Sequence, residues 1–252
     1  MHNLQKASCQ INTLLKTVAL NLLALCIAAP AHAGPFTITP VRIYMTPKDK
    51  AVAMTITNEG DDELVMQADI YSWKQTPEGK DDLVLTEDML LSPPIIKLAG
   101  KSRQVVRLAK LRPLPQTEQL TYRMIVREIP EAKPAKDNVQ IQIAIAFSLP
   151  IFITPPGAKN KLDCTVERTA ANSINAICEN TGNAYAHPLD FELTGPNGDK
   201  LASRDSGSYI LPGIKHIYEI KRADGRIPGG KARLAVTHDN GVKQTYEVVL
   251  TD

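Results

Sequence analysis

The stretch Asn138-Val-Gln-Ile-Gln-Ile-Ala-Ile-Ala-Phe-Ser-Leu-Pro-Ile-Phe-Ile-Thr-Pro155 decides how the rest of the chain is interpreted. Polar or small side chains alternate in it with large apolar ones, at Val139, Ile141, Ile143, Ile145 and Phe147. Alternation of period two among β-branched residues is typical of a β-strand with two unlike faces. From the residues alone two interpretations stay open: a half-buried strand of an ordinary sandwich, or a strand that offers its isoleucines to another chain.

Similar strands fill the remainder of the sequence. Runs rich in β-branched and aromatic residues cover 36–44, 51–58, 63–73, 102–109, 120–129 and 139–154, and clusters of glycine and proline separate them. Short strands at this spacing, without long helical periodicity, predict an all-β sandwich. Residues 155–160 resemble a linker, and a second set of short strands follows, so two sandwiches of about 100 residues each are expected. Trp73, the only tryptophan, is expected to anchor the core of the first.

Residues 1–33 have the features of a cleaved signal peptide. Two lysines, Lys6 and Lys16, precede an apolar run that is too short to span a membrane, and Ala31-His-Ala33 forms a small-x-small cleavage site. Cys26 after Leu-Ala-Leu leaves lipoprotein processing as a less favoured alternative. We therefore expect an exported protein that begins at residue 34 and is not inserted in a membrane.

The composition of the exported chain excludes several classes of function. The signal segment removes two of 29 basic residues and none of 27 acidic ones, so the remaining charge is balanced and predicts no nucleic-acid or anionic-membrane partner. Cys164 and Cys178 are the cysteines that remain, and an even pair in an exported chain predicts a disulfide. A metal site would need further ligands, and the three remaining histidines lack ligand spacing, so no cofactor is expected.

The middle of the first domain carries a resemblance to a known family. Arg127-Glu-Ile-Pro closes one strand, a short loop follows, and the alternating strand then ends in Ile151-Phe-Ile-Thr-Pro. Together with Pro40-Val-Arg-Ile and Leu91-Ser-Pro-Pro, this order resembles the periplasmic chaperones of the chaperone–usher pilus pathway, the PapD-like family. The resemblance covers nearly all of the first domain and is weaker in the second. The pair Tyr122-Arg123, together with Leu149-Pro-Ile-Phe, resembles its divergent, archaic branch. The short loop at 131–137 and the absence of cysteines from 34–154 argue against the long-loop branch.

The resemblance implies two immunoglobulin-like domains in a boomerang arrangement, with residues 34–154 as the first and 161–252 as the second. Its members bind pilus subunits, major and tip, that lack their last strand, lend them an alternating strand, and pass them to the outer-membrane usher. Strand addition of this kind is an established mode of recognition. Residues 139–149 match the lent strand, and its donor side chains match Val139, Ile141, Ile143 and Ile145. Because such an edge is an aggregation hazard, we expect the unloaded protein to cover it by self-association or with a loop.

The family also anchors the subunit's terminal carboxylate with two basic side chains in the cleft between the domains. Arg42 matches the first of them, whereas the position of the second, a lysine, is Pro150. Arg123 is the candidate replacement, with an ordinary surface arginine as the alternative, since a guanidinium can hold a carboxylate by two hydrogen bonds. Arg127 and Glu128 are expected at the interdomain junction, although the arginine that the family usually has near Thr154 is missing.

Other functions find less support in the residues. No His-Glu-x-x-His or Gly-x-Ser-x-Gly sequence and no phosphate-binding glycine loop is present, so we expect neither an enzyme nor an ATP-dependent protein. An exported structural protein, a pilus subunit or adhesin, is the alternative. It would be one incomplete domain with its alternating extension near the start of the mature chain, whereas here the alternating strand lies in the middle.

Overall fold

The computed structural model describes residues 36–111, 117–130 and 144–251, and all regular elements in these ranges are β-strands. The first set comprises β1 (Phe36–Thr39), β2 (Ile43–Met45), β3 (Ala51–Asn58), β4 (Leu64–Gln75), β5 (Asp81–Leu85), β6 (Met89–Ser92), β7 (Ile95–Leu98), β8 (Arg103–Lys110), β9 (Leu120–Glu128) and β10 (Ala146–Ile153). The second set comprises β11 (Leu162–Ala170), β12 (Ser173–Asn180), β13 (Pro188–Thr194), β14 (Lys200–Arg204), β15 (Lys215–Lys221), β16 (Gly230–His238) and β17 (Lys243–Leu250). The predicted all-β class is confirmed, and the predicted signal peptide lies outside the described residues.

The first set of strands forms two sheets packed face to face. One sheet has the order β1-β3-β8-β6, and the other has the order β2-β10-β9-β4-β5, with β7 also paired to β4. Alternate residues of both sheets fill the space between them, and Ile56, Met66, Val106, Met124 and Ile151 are fully buried there. Alternation in the sequence thus becomes one inner and one outer face for each strand.

The first predicted strand, 36–44, is divided in the structure. β1 pairs antiparallel with β3 in one sheet, and β2 pairs parallel with β10 in the other, so the chain changes sheets around Pro40. Proline cannot donate a ladder hydrogen bond, which explains the break at this position. The crossing places β2 beside the end of β10 and leaves Arg42 in the short segment between the two strands.

The second set of strands forms one curved sheet in the order β11-β12-β15-β14-β13-β16-β17, which folds over its own apolar core. Cys164 and Cys178 face each other in the register of β11 and β12 and form a disulfide, with the Cα atoms 4.1 Å apart. The predicted disulfide is therefore confirmed. It closes a loop of about 15 residues, which the chain-entropy argument associates with ~3 kcal/mol of stability.

Trp73 does not anchor the first core. The inward side chains at the start of β4 are those of even-numbered residues such as Met66 and Ile70, so Trp73 points to the opposite face. That face lies against the second set of strands, and Trp73, 1 % exposed, clusters there with Phe152 and Leu211. The expectation was wrong because the sequence indicates that Trp73 is buried, but not which face of its strand is covered by a second domain.

Candidate functional site

One edge of β10 is uncovered over most of its length. β10 pairs with β9 from Ala146 to Ile153, but with β2 only from Ile151 to Ile153. On the β2 side, no strand within the described ranges pairs with residues 146–150. Such an edge presents unpaired main-chain donors and acceptors and can accept a strand from another chain.

Backbone hydrogen bonds around β10 show which residues face this edge. The Thr154 amide, just after β10, donates to the carbonyl of Met45, the last residue of β2, at 2.9 Å, and the Glu128 amide of β9 donates to the Ile145 carbonyl, at 3.0 Å. Main-chain groups of successive residues point to opposite edges of a strand. Even-numbered residues of β10 therefore face the β2 side, and the exposed residues 146 and 148 direct their N–H and C=O groups to the uncovered edge.

Pro150 limits the number of donors along the same edge. It lies opposite Arg123 in the register of β10 and β9. Because proline has no N–H, it fits a paired strand only where its nitrogen faces away from the neighbour, and an even-numbered position in β10 meets this condition. The backbone donor that Pro150 lacks is therefore lost at the uncovered edge, where residues 146 and 148 donate and residue 150 only accepts.

The apolar side chains that alternate along this strand are buried near its end and become more exposed toward its start. Leu149 and Ile151 are buried in the core, Ile145 is partly buried against it, and Phe147 is 40 % exposed. Of the four predicted donor side chains, Ile145 is thus placed at the open end of the row. The other three, Val139, Ile141 and Ile143, lie outside the described residues.

Arg123 lies on the outer face of β9, in an aromatic environment. Its guanidinium carbon is 3.7 Å from the centre of the Trp73 ring and 5.4 Å from that of Tyr209, and its side chain is 13 % exposed. The Asp81 carboxylate is 3.6 Å away, and Nε of Arg123 has no hydrogen-bond partner among the described residues. Burial lowers the pKa of Arg123, and Asp81 opposes this shift. The residue is therefore a desolvated cation with unused hydrogen-bonding capacity, not the ordinary surface arginine that was the alternative.

Arg42 is already paired with a residue of the second domain. Its guanidinium lies 2.5 Å from the Asp239 carboxylate, and Nδ1 of His187 lies 3.2 Å from the same oxygen. Burial acts to lower the pKa of Arg42, but a hydrogen bond with Tyr44 and the charge of Asp239 give a net upward shift. The Arg42 side chain is 35 % exposed, so it is accessible to an incoming carboxylate, which would compete with Asp239.

The two predicted anchor residues flank one ring. The guanidinium carbons of Arg42 and Arg123 lie 5.8 Å and 5.4 Å from the centre of the Tyr209 ring, and His187 stacks on that ring at 3.9 Å. Burial lowers the pKa of His187; Asp239 opposes the shift, and both arginines add to it. The structure thus brings two cations together in the cleft between the domains, where an anionic group could be held.

Arg127 and Glu128 do not form the interdomain junction, which corrects the expectation from the sequence. Arg127 pairs with Asp69 at 2.8 Å and donates to the Tyr71 hydroxyl at 3.2 Å, both within the first domain. Arg127 and Glu128 lie at one end of β9, whereas Leu120, at the other end, pairs with Ile153 just before the linker. Seven residues of strand, about 23 Å, separate Arg127 from Leu120.

Two glutamines and a glycine make the interdomain contacts that the sequence did not reveal. Gln75 accepts from the Leu211 amide at 2.9 Å and donates to the Tyr209 carbonyl at 3.0 Å, so it pairs like a residue of a neighbouring strand. Gln119 accepts from the Tyr185 amide at 2.8 Å. A Cβ on Gly79, whose φ is +78°, would lie 2.4 Å from the His216 ring. Uncharged residues at strand ends and turns carry no pattern that would have marked them.

Comparison with known proteins places this architecture among chaperones of pilus assembly. The family model described as "Pili and flagellar-assembly chaperone, PapD N-terminal domain" matches residues 35–159. The chain is 30 % identical over 210 residues to the uncharacterized fimbrial chaperone YbgP of Escherichia coli strain K12, covering 81 % of this chain and 79 % of YbgP.

Solved structures of the same kind share the fold at low sequence identity. One is a chain of the CsuC–CsuE chaperone–tip adhesion subunit pre-assembly complex, from archaic chaperone–usher Csu pili of Acinetobacter baumannii. It has a TM-score of 0.60 and 19 % identity over 86 % of this chain and 99 % of that one. Another comes from the complex of the Salmonella enterica SafA pilin with the SafB chaperone, with a TM-score of 0.57 and 13 % identity over 87 % of this chain and 98 % of that one.

Proposed function

Because this chain belongs to the family of pili and flagellar-assembly chaperones, whose members are not enzymes, we propose that it caps pilus subunits by lending them the strand that includes β10. The lent segment is 139–149, and its isoleucines enter the subunit's open sandwich while its backbone pairs with the subunit's edge. The exported β-sandwich structural protein that was the alternative loses its support with the family assignment.

The observation that carries the proposal is the uncovered edge of β10 together with the apolar row beside it. Residues 146 and 148 direct main-chain groups outward, and Ile145 and Phe147 stand next to them on the inner face. Main-chain groups pair with a partner strand whatever its sequence, and alternate side chains fix its register. One edge thus provides both affinity and alignment, and an incomplete sandwich needs both.

The subunit's terminal carboxylate is held in the cleft by Arg123 and Arg42. Arg123 is supported as the permanent anchor, because Nε of its buried guanidinium has no hydrogen-bond partner among the described residues and the Asp81 carboxylate, at 3.6 Å, is beyond hydrogen-bond distance. Arg42 takes part by exchange, releasing Asp239 when the subunit's carboxylate arrives. Stacking on Trp73 keeps the Arg123 side chain oriented without satisfying its hydrogen bonds.

The remaining parts of the proposal follow the family. The chain acts in the periplasm after cleavage at residue 33, with residues 34–154 and 161–252 as its domains and 155–160 as the linker. Its partners are major and tip pilus subunits and the outer-membrane usher, and the unloaded protein covers the edge with a second copy or a loop. Within the described residues, no helix is long and apolar enough to cross a membrane. Membership of the archaic branch stays a prediction.

A proline substitution at the uncovered edge tests the proposal. Ser148→Pro removes one outward amide and leaves the pairing with β9 intact, because the nitrogen of residue 148 faces away from β9. Ser148→Ala is the matched control, since it removes the hydroxyl and keeps the amide. We expect Ser148→Pro to weaken binding of a pilus subunit by about 5- to 100-fold, the effect of one lost hydrogen bond that leaves its acceptor unpaired.

The measurement is recovery of a soluble complex after dilution of a urea-denatured major pilus subunit into excess chaperone. Ile145→Asp and Arg123→Ala probe the row and the anchor in the same assay, with thermal unfolding as the check that each variant is folded. Normal complex formation by both Ser148→Pro and Ile145→Asp would refute the lent-strand proposal. Loss with Ile145→Asp but not with Arg123→Ala would leave the strand and remove the anchor.

A further inference from the structure

Phe147 is an exposed aromatic ring beside a docking edge. It is 40 % exposed, whereas its neighbour on the same face, Leu149, is 3 % exposed. The ring leans on Phe36, which is 5 % exposed, in an edge-to-face contact with the ring centres 5.0 Å apart. Phe36 begins β1, the edge strand of the other sheet, so the two rings stand at the open mouth of the sandwich.

This arrangement leaves a large apolar surface exposed to water. The ring is continuous with the proposed interface, because it lies between Ile145 and Leu149 and next to the outward backbone groups of residues 146 and 148. Phe36, which is buried in the core, packs against the ring. An aromatic ring held in this way fits a pocket of a partner with little loss of conformational freedom.

We propose that Phe147, backed by Phe36, is a further subunit-binding residue that selects subunits with an open pocket close to their C-terminus. The inference rests on the proposed function and adds one residue to the apolar row on the side of the anchor. Phe147 precedes Pro150, the residue opposite Arg123, by three positions, which is about 10 Å along the strand. With its last strand parallel to β10 and its carboxylate at Arg123, a subunit therefore places roughly its third residue from the end beside the ring.

The pocket must therefore be lined by small residues within the last few positions of the subunit. A glycine or alanine there admits the ring, and a leucine fills the same space and clashes with it. Burying the exposed part of a phenyl ring, about 80 Å² at the usual free energy per unit area, corresponds to roughly 30-fold in the dissociation constant. The ring therefore contributes to selection among subunits as well as to affinity.

The test compares Phe147→Ala and Phe147→Leu with the unchanged chaperone. Two forms of one major pilus subunit serve as probes, the native form and one with leucine introduced at the third residue from its C-terminus. We expect Phe147→Ala to bind the native subunit about 30-fold more weakly and Phe147→Leu to recover part of the loss. The leucine-bearing subunit should be rejected by the unchanged chaperone and accepted by Phe147→Ala.

Thermal unfolding shows whether a variant is folded, and the two-subunit comparison does not depend on overall stability. If Phe147→Ala binds both subunits like the unchanged chaperone while Ser148→Pro loses binding, the ring only closes the core and the inference is overturned. If Ser148→Pro and Ile145→Asp also bind normally, the lent-strand proposal fails and the inference falls with it. Equal weakening of both subunits by Phe147→Ala would also overturn selection.

Discussion

Neutralising Asp239 should loosen the contact between the domains and strengthen the binding of subunits. In the unloaded chaperone, this carboxylate pairs with Arg42 at 2.5 Å and with His187 at 3.2 Å, and its side chain is 13 % exposed. Asp239→Asn keeps the shape of the side chain and removes its charge. Arg42 is then free for the subunit's terminal carboxylate, which no longer has to displace a competitor.

The size of both effects follows from the exposure of the pair. Breaking a fully buried ion pair costs about 3–5 kcal/mol, whereas exposed pairs contribute ~1 kcal/mol or less. Arg42 is 35 % exposed, so water recovers part of the solvation of the guanidinium when Asp239 is neutralised. We expect the contact between the domains to lose about 1–2 kcal/mol. Subunit affinity should rise by the corresponding factor, roughly 5- to 30-fold.

The assay measures the chaperone concentration that gives half-maximal capture of a denatured pilus subunit, with thermal unfolding measured in parallel. Asp69→Asn is the matched control, because it makes the same chemical change in an aspartate–arginine pair, 2.8 Å from Arg127, that lies within the first domain. We expect Asp69→Asn to leave subunit capture unchanged. Weaker capture by Asp239→Asn would refute the exchange and would show that Arg42 acts only as part of the contact between the domains.

Three further predictions concern the stability of the folded protein. Cys164→Ser with Cys178→Ser should lower the stability of the second domain by about 3 kcal/mol, measured as denaturant unfolding, and should leave capture of subunits in place. Burial lowers the pKa of His187 and His216 from 6.5, so the free energy of unfolding should be highest above pH ~6.5 and should decrease as the pH falls below it. Denaturant unfolding measured between pH 7.5 and 5 should show this decrease. Replacing both histidines with glutamine should make the free energy of unfolding less dependent on pH. Gln75→Leu leaves the Leu211 amide without its partner and should cost about 1–3 kcal/mol of stability, without changing the secondary structure seen by circular dichroism.

The strands were predictable because most of them follow period-two alternation. The run 51–58 appears as β3 with the same bounds, and 120–129 appears as β9 with one residue fewer. β5, β6 and β7 were missed because each has only four or five residues, and in β5 Asp81 and Asp82 precede an apolar run that is exposed at the sheet edge. Alternation reports a buried face, and an edge strand such as β5 buries little.

The candidate site was predictable where it depends on one strand and unpredictable where it depends on two domains. The loss of a backbone donor at Pro150 could be inferred from the residues of 138–155, since it concerns one strand and its edge. Of the predicted donor row only Ile145 lies among the described residues, so the row itself stays a prediction. That Asp239 pairs with Arg42 could not, because 197 positions separate them and no local pattern relates the two. Arg127 was misplaced for the same reason, since a charged strand residue does not indicate which domain supplies its partner.

Thr154 and Asp239 show how polar groups of the cleft are paired. The Thr154 hydroxyl accepts a hydrogen bond from Gln119 at 2.7 Å, so this contact involves no charge. The nearly buried carboxylate of Asp239 needs a cationic partner, and the short segment between β1 and β2 supplies Arg42. In the proposed exchange Arg42 has a role in each state of the chaperone, as an interdomain partner when unloaded and as an anchor when loaded. Arg123, whose Nε has no hydrogen-bond partner among the described residues, would then bind the subunit's carboxylate first, so Arg123→Ala should impair capture more than Arg42→Ala.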